Sequence, residues 1–100
     1  MKEIVIIGAG KIGSAIAAML AETGDYHVTI VDRAAAQLNA LDLPGNVATL
    51  ELDIMAEGAL EKALVGKFAV MSAAPYHLTT RIAEAAASAG VHYLDLTEDV

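Results

Sequence analysis

The run Ile4-Val5-Ile6-Ile7-Gly8-Ala9-Gly10-Lys11-Ile12-Gly13 decides the fold. Four β-branched residues in succession, stopped by glycine, read as a strand buried on both faces. From Lys11 to Thr23 the apolar residues fall at Ile12, Ala15, Ile16, Met19 and Leu20, spaced as one helix face, and Gly24 follows as a stop. Working outward, His27 to Val31 reads as a second strand and Arg33 to Leu41 as a short helix ending before Pro44-Gly45. Val47 to Leu52 gives a third strand, Ala56 to Val65 a helix, and Phe68 to Ser72 a fourth strand, after which Pro75 interrupts the chain. Leu78 to Ala89 carries Ile82, Ala85, Ala86 and Ala89 on one helical stripe, Gly90 ends it, and Val91 to Leu96 is a fifth strand. Strands alternating with helices through short loops are the sequence form of right-handed βαβ units. The expected fold is therefore α/β: a Rossmann-like doubly wound parallel sheet, strand order 3-2-1-4-5, with helices on both faces.

Composition narrows the reading further. The chain has 100 residues, 56% of them hydrophobic, which fits one domain with a thin core. Twenty-one of the residues are alanine, an abundance that points to close packing of helices on the sheet. A net charge of -7, with cations scattered at Lys2, Lys11, Arg33, Lys62, Lys67 and Arg81, gives no footprint for nucleic acid. The apolar runs are far shorter than the roughly 20 residues that span a bilayer. No cysteine is present, so disulfides and thiol nucleophiles are excluded and a reducing, cytoplasmic setting is expected. The N-terminus enters the first strand directly and reads as a true start, whereas the end at Thr97-Glu98-Asp99-Val100, just past a strand, reads as the edge of a fragment of a longer chain.

Gly8, Gly10 and Gly13 sit at the turn from strand to helix, where each has a distinct task. Gly8 permits the turn, Gly10 leaves room for a pyrophosphate to reach the backbone, and Gly13 lets the helix lie close to the strand. The helix N-terminus adds free N–H groups and a partial positive charge. Asp32 follows Gly13 by 19 positions, at the end of the second strand, where a carboxylate can accept bonds from adenosine ribose hydroxyls. A carboxylate about 4 Å from a 2′-phosphate costs roughly 1 to 4 kcal/mol, so NAD is expected over NADP. Arg33, which could stack on adenine or pair with a 2′-phosphate, keeps NADP as the alternative.

In an open parallel sheet, ligands bind at the carboxyl ends of the strands. His27 and His92 begin their strands and fall at the wrong end. Asp53 and Ile54 follow the third strand and would flank the adenine, with helix capping ahead of Ala56 the competing role for Asp53. Ser72-Ala73-Ala74-Pro75-Tyr76-His77 follows the fourth strand, and its small residues would let the nicotinamide half lie against the backbone. Tyr76 and His77, and beyond the fifth strand Asp95, Thr97 and Glu98, are on the functional rim with packing or capping as their plainer roles. No metal-ligand cluster or nucleophile triad can be assembled, and no catalytic residue is assigned.

Taken together, Ile6-Ile7-Gly8-Ala9-Gly10-Lys11-Ile12-Gly13, Val31-Asp32-Arg33, Ser72-Ala73-Ala74-Pro75-Tyr76 and Gly90-Val91-His92-Tyr93-Leu94-Asp95 resemble the N-terminal cofactor domain of the saccharopine dehydrogenase family. The resemblance covers essentially the whole chain, and its last two motifs are the more family-like. It implies an NAD(P)-dependent oxidoreductase acting at the C–N carbon of an amino acid or polyamine adduct. It carries Gly8, Ala9, Gly10, Lys11, Ile12, Gly13, Asp32 and Arg33 over as cofactor contacts, with Asp53, Ile54, Ala73, Ala74 and Pro75 beside them. Substrate binding, most catalytic residues and a homodimer contact are implied in a following domain, so this chain alone is expected to be inactive. The alternative is a regulatory NAD-sensing module similar to those that control potassium channels. Ala73-Ala74-Pro75-Tyr76 is unlike the acidic, asparagine-bearing loop expected there.

Overall fold

A computed structural model of the chain describes residues 2–41, 45, 47–74 and 76–96. Five strands, β1 (Lys2–Ile7), β2 (Tyr26–Asp32), β3 (Val47–Glu51), β4 (Ala69–Ser72) and β5 (His92–Asp95), form one sheet in the order β3-β2-β1-β4-β5. Every pairing is parallel. The helices between them are α1 (Lys11–Glu22), α2 (Ala35–Asn39), α3 (Ala59–Leu64) and α4 (Thr79–Ala89), with a single 3₁₀ turn at Tyr76–Leu78. The expected fold class and strand order are thus observed.

Alternation along β1 explains the two layers. Val5 and Ile7 point to a core formed with Leu60 and Leu64 of α3 and Ile82, Ala85 and Ala86 of α4. Ile4 and Ile6 point to the opposite core, which holds Ala17 of α1 and Leu38 of α2. All four residues are buried, as a central parallel strand requires.

The face of α1 differs from expectation. Its buried residues are Gly13, Ala17 and Ala21, spaced i, i+4, i+8, while Ile16 and Leu20 are only half-buried. Ile12 and Met19 are 48% and 66% exposed, and Ala15 is also exposed. Small residues win the contact face because they let the helix axis approach the sheet more closely than large side chains would. The stripe on α4 is as expected, with Ile82, Ala85 and Ala86 buried and Ala89 partly so.

Boundaries shift modestly. Helix α3 begins at Ala59, behind Gly58 in a left-handed conformation, so Asp53 caps no helix at Ala56. Instead, Asp53 holds a turn: its Oδ1 accepts from the Met55 N–H at 2.9 Å and its carbonyl from the Ala56 N–H at 3.0 Å. Helix α2 is shorter than expected, and Pro44 lies outside the described residues. Among the described residues, no helix is long and apolar enough to cross a membrane.

Candidate functional site

The carboxyl ends of β1, β2, β3 and β4 surround a cavity of about 650 Å³. Its base is the turn between β1 and α1. Gly8 has φ +109°, and a Cβ there would come within 2.8 Å of the Ala73 carbonyl oxygen. Both the conformation and the contact exclude a side chain. Gly13 packs behind the turn, where a Cβ would stand 2.2 Å from the Gly8 carbonyl oxygen. Gly10 is different, because nothing lies within 4 Å of its absent Cβ. The open space above Gly10 belongs to the rim of the cavity, which Gly8, Ala9 and Gly10 line.

Gly10 is also the N-cap of α1, and no side chain caps the helix. The first N–H groups of an α-helix have no intrahelical acceptor, so those of Lys11, Ile12 and Gly13 follow directly on the cavity-lining Gly10 without one. The side chains of Lys11 and Ile12 are exposed and do not line the cavity.

Asp32, at the end of β2, has both carboxylate oxygens engaged. Oδ2 accepts from the Ala9 N–H at 2.9 Å and Oδ1 from the Ala34 N–H at 2.8 Å. The acid therefore ties the glycine turn to the turn that follows β2. The Gly8 N–H donates to the Val31 carbonyl at 2.8 Å and the Ala73 N–H to the Ile7 carbonyl at 2.9 Å, extending the sheet bonding into the loops. Arg33 is exposed at the cavity wall, next to Gln37.

The remaining walls come from two loops. After β3, Asp53, Ile54 and Met55 line one side; Ile54 is buried, and Asp53 and Met55 are exposed. After β4, Ala73 and Ala74 line the other, with His77 and Leu78 beyond them. Pro75, Thr97 and Glu98 lie outside the described residues. Of the expected contacts, the cavity gathers Gly8, Ala9, Gly10, Asp32, Arg33, Asp53, Ile54, Ala73 and Ala74. Sequence reasoning missed Gln37, Leu52 and Met55, whose only signal is their nearness to Asp32 and Asp53 in the chain.

His27 and His92 start their strands at the opposite end of the sheet, as expected. There the His27 Nδ1 lies 3.3 Å from Glu3, which also pairs with Lys67 at 3.2 Å. The Lys67 ammonium, through its hydrogen bond first, holds the Glu3 carboxyl below its ordinary value. Among the described residues no cluster of His, Asp and Glu could hold a metal ion.

One ion pair supports the site from behind. Arg81 of α4 grips Glu61 of α3 with two bonds, Nη1 to Oε2 at 2.6 Å and Nη2 to Oε1 at 2.8 Å. Its Nε donates to the Ile54 carbonyl at 3.0 Å. The hydrogen bonds from Arg81 hold the Glu61 carboxyl down at about 2.

The chain resembles known proteins along nearly its whole length. Residues 4–99 match the family model described as saccharopine dehydrogenase NADP binding domain. The NADP(+)-dependent, L-glutamate-forming saccharopine dehydrogenase of Saccharomyces cerevisiae is 28% identical over 85 residues, which are 85% of this chain and 19% of that protein. The chain thus spans about a fifth of the length of this curated relative. The apo structure of the L-Glu-forming saccharopine dehydrogenase from Saccharomyces cerevisiae superposes with a TM-score of 0.88 at 24% identity, over 100% of this chain and 22% of that one. A UDP-glucuronic acid 4-epimerase from Bacillus cereus, in a complex that contains NAD, shares the fold with a TM-score of 0.76 at 20% identity, over 93% of this chain and 39% of that one. The glycine turn, the acid after β2 and the family match agree: this chain belongs to the saccharopine dehydrogenase NADP-binding domain family and is an NAD(P)-binding Rossmann domain of oxidoreductase kinship.

Proposed function

We propose that this chain is the cofactor-binding part of a larger oxidoreductase acting at the C–N carbon of an amino acid or polyamine adduct. The observation that carries the cofactor-binding part is the glycine turn, with Asp32 holding the Ala9 N–H and an uncapped helix N-terminus beside open space at Gly10, while the family match supports the C–N chemistry. In this reading the pyrophosphate lies over Gly8, Ala9 and Gly10 and takes bonds from the first N–H groups of α1, at Lys11 and Ile12, while Gly13 serves by close packing. The adenosine ribose meets Asp32, with Arg33 beside it, and Asp53 and Ile54 flank the adenine. Ala73 and Ala74 leave room for the nicotinamide, which supplies or accepts the hydride, and Pro75 is the next candidate contact in the sequence. Substrate-binding and catalytic groups belong to a following domain, which also provides a homodimer contact, so this chain alone is inactive. The lack of cysteine fits a cytoplasmic protein.

NAD is preferred over NADP in this reading, because Asp32 presents a carboxylate where a 2′-phosphate would fall. At about 4 Å that repulsion is roughly 1 to 4 kcal/mol. Calorimetry with the full-length protein should show Asp32→Ser gaining NADP affinity relative to NAD. An unchanged ratio removes Asp32 from the discrimination. For the activity, labelled reduced cofactor and pairs of amino acid and aldehyde should give hydride transfer to the imine carbon. A full-length protein that binds NAD without turnover on such pairs is instead a nucleotide sensor.

A further inference from the structure

We infer that Arg81, which lines no part of the cavity, is a positioning residue for the adenosine half of the dinucleotide. The inference rests on the reading that the cavity holds such a ligand. The wall beside Asp32 is a short loop, Asp53 to Met55, which lines the cavity and whose Ile54 is buried in the core with Leu60, Leu64 and Ile82. That loop stands on the outer side of the sheet. The Leu52 N–H donates to the Asp32 carbonyl at 3.0 Å, and Asp32 pairs with Glu51 in the register of β2 and β3. A ribose at Asp32 therefore places the adenine beside Asp53, Ile54 and Met55, not beside Ala73 and Ala74.

One guanidinium fixes this wall from behind. Arg81 donates Nε to the Ile54 carbonyl, and its two Nη groups clamp Glu61. The fork is planar, so one guanidinium can meet Glu61 and the Ile54 carbonyl at once. Arg81 side-chain exposure is 19% and that of Glu61 is 36%, so the pair is partly shielded from water. Arg81 also sits in the first turn of α4, which follows the 3₁₀ turn whose His77 and Leu78 form the far wall. Its side chain thus reaches from the helix that follows one wall of the cavity to the backbone of the other. Its contact with Ile54 is to the backbone carbonyl, so Arg81 adds a tether to the adenine wall beside the anchoring of the buried Ile54 side chain.

The partition of bonds gives a test that a purely structural ion pair would not pass. Arg81→Met removes all three bonds, whereas Glu61→Gln removes the opposite charge and leaves the Nε bond to Ile54 possible. The full-length protein and both variants would be titrated with ADP-ribose and, separately, with nicotinamide mononucleotide, well below each melting temperature. Arg81→Met should weaken ADP-ribose about tenfold and leave the mononucleotide unchanged, and Glu61→Gln should keep ADP-ribose within about twofold. If both variants lose melting temperature in parallel and neither alters ADP-ribose binding, Arg81 is only a stabilising residue and the inference fails. Should Arg81→Met not fold, Arg81→Lys keeps a cation but cannot reach both Glu61 and Ile54 with a planar fork. A folded Arg81→Lys that binds ADP-ribose as the wild type does overturns the assignment equally. A wild-type protein that fails to bind ADP-ribose overturns the dinucleotide reading itself, an outcome separate from failure at Arg81.

Discussion

The three glycines of the β1–α1 turn should separate cleanly into those that serve folding and the one that serves the ligand. At Gly13 an added Cβ would stand 2.2 Å from the Gly8 carbonyl oxygen and 3.4 Å from the Ala73 Cβ. Neither neighbour is a flexible side-chain tip, so the backbone of the turn or of α1 must shift. Overpacking of this kind costs roughly 1 to 3 kcal/mol, and the gain from alanine inside a helix offsets about 1. Taking the upper end, because backbone is what must move, Gly13→Ala should lose about 2 kcal/mol, or about 8 to 16 °C of melting temperature for a domain of this size. Gly10, at φ -72° and ψ -173°, is in a conformation open to any residue, with nothing within 4 Å of its absent Cβ. Gly10→Ala should therefore cost at most about 1 kcal/mol, the scale of an altered N-cap. Its methyl group would nevertheless occupy the space left for the pyrophosphate, and NAD affinity should fall at least about tenfold. Thermal melts and NAD titrations of the two variants decide it. A Gly10→Ala protein that binds NAD normally means that the phosphates do not cross this backbone, and a Gly13→Ala protein of full stability means that the helix contact is misjudged.

Two further measurements follow from the packing and the charges. Ala17 is fully buried on α1, so Ala17→Leu should lose roughly 1 to 3 kcal/mol by overpacking, while Met19→Ala, at a position 66% exposed, should stay within about 0.5; urea unfolding of both tells which face of α1 meets the sheet. The Glu61 carboxyl is lowered from 4.5 to about 2 by Arg81, so the folded state holds its proton less tightly than the unfolded chain. That stabilisation is fully present above pH 4.5 and is lost as pH falls toward 2. The urea-midpoint difference between wild type and Glu61→Gln should accordingly be constant above pH 5.5 or so and shrink through this window. A difference that grows on acidification contradicts the pair.

The sheet was legible because its signal is redundant. Ile4 to Ile7 can be buried on both faces only at the centre of a parallel sheet, and the glycines after it select the turn. The face of α1 was not legible, because hydrophobic periodicity counts Ile12 and Met19 as inward while a sheet contact selects for small size at Gly13, Ala17 and Ala21. Both stripes repeat at helical spacing, and periodicity alone does not rank them. The start of α3 was misplaced for a related reason: Asp53 does form a turn, but Gly58 in a left-handed conformation re-aims the chain before the helix begins. In the sequence Arg81 is only one of the scattered cations. Its link to Ile54 joins residues 27 positions apart and exists only once α3 and α4 pack together.

Asp32 shows why a motif can locate a residue and still understate it. In the sequence, the acid after β2 matters for what it offers a ribose. In the fold its two oxygens already accept the Ala9 and Ala34 N–H groups, so it shapes the phosphate turn as well as the ribose site. Each oxygen of an ionised carboxylate keeps a further acceptor site, so both tasks can be met at once. The consequence for Asp32→Ser is specific. A serine hydroxyl can replace at most one of the two bridges, so the glycine turn loosens and affinity for NAD and NADP should fall together by a common factor. Removing the negative charge then adds affinity for NADP alone. The ratio of the two dissociation constants within the variant isolates the charge effect, and the NAD constant against wild type isolates the turn. A variant whose NAD affinity is unchanged while the ratio shifts would show that the bridge to Ala9 contributes nothing to binding.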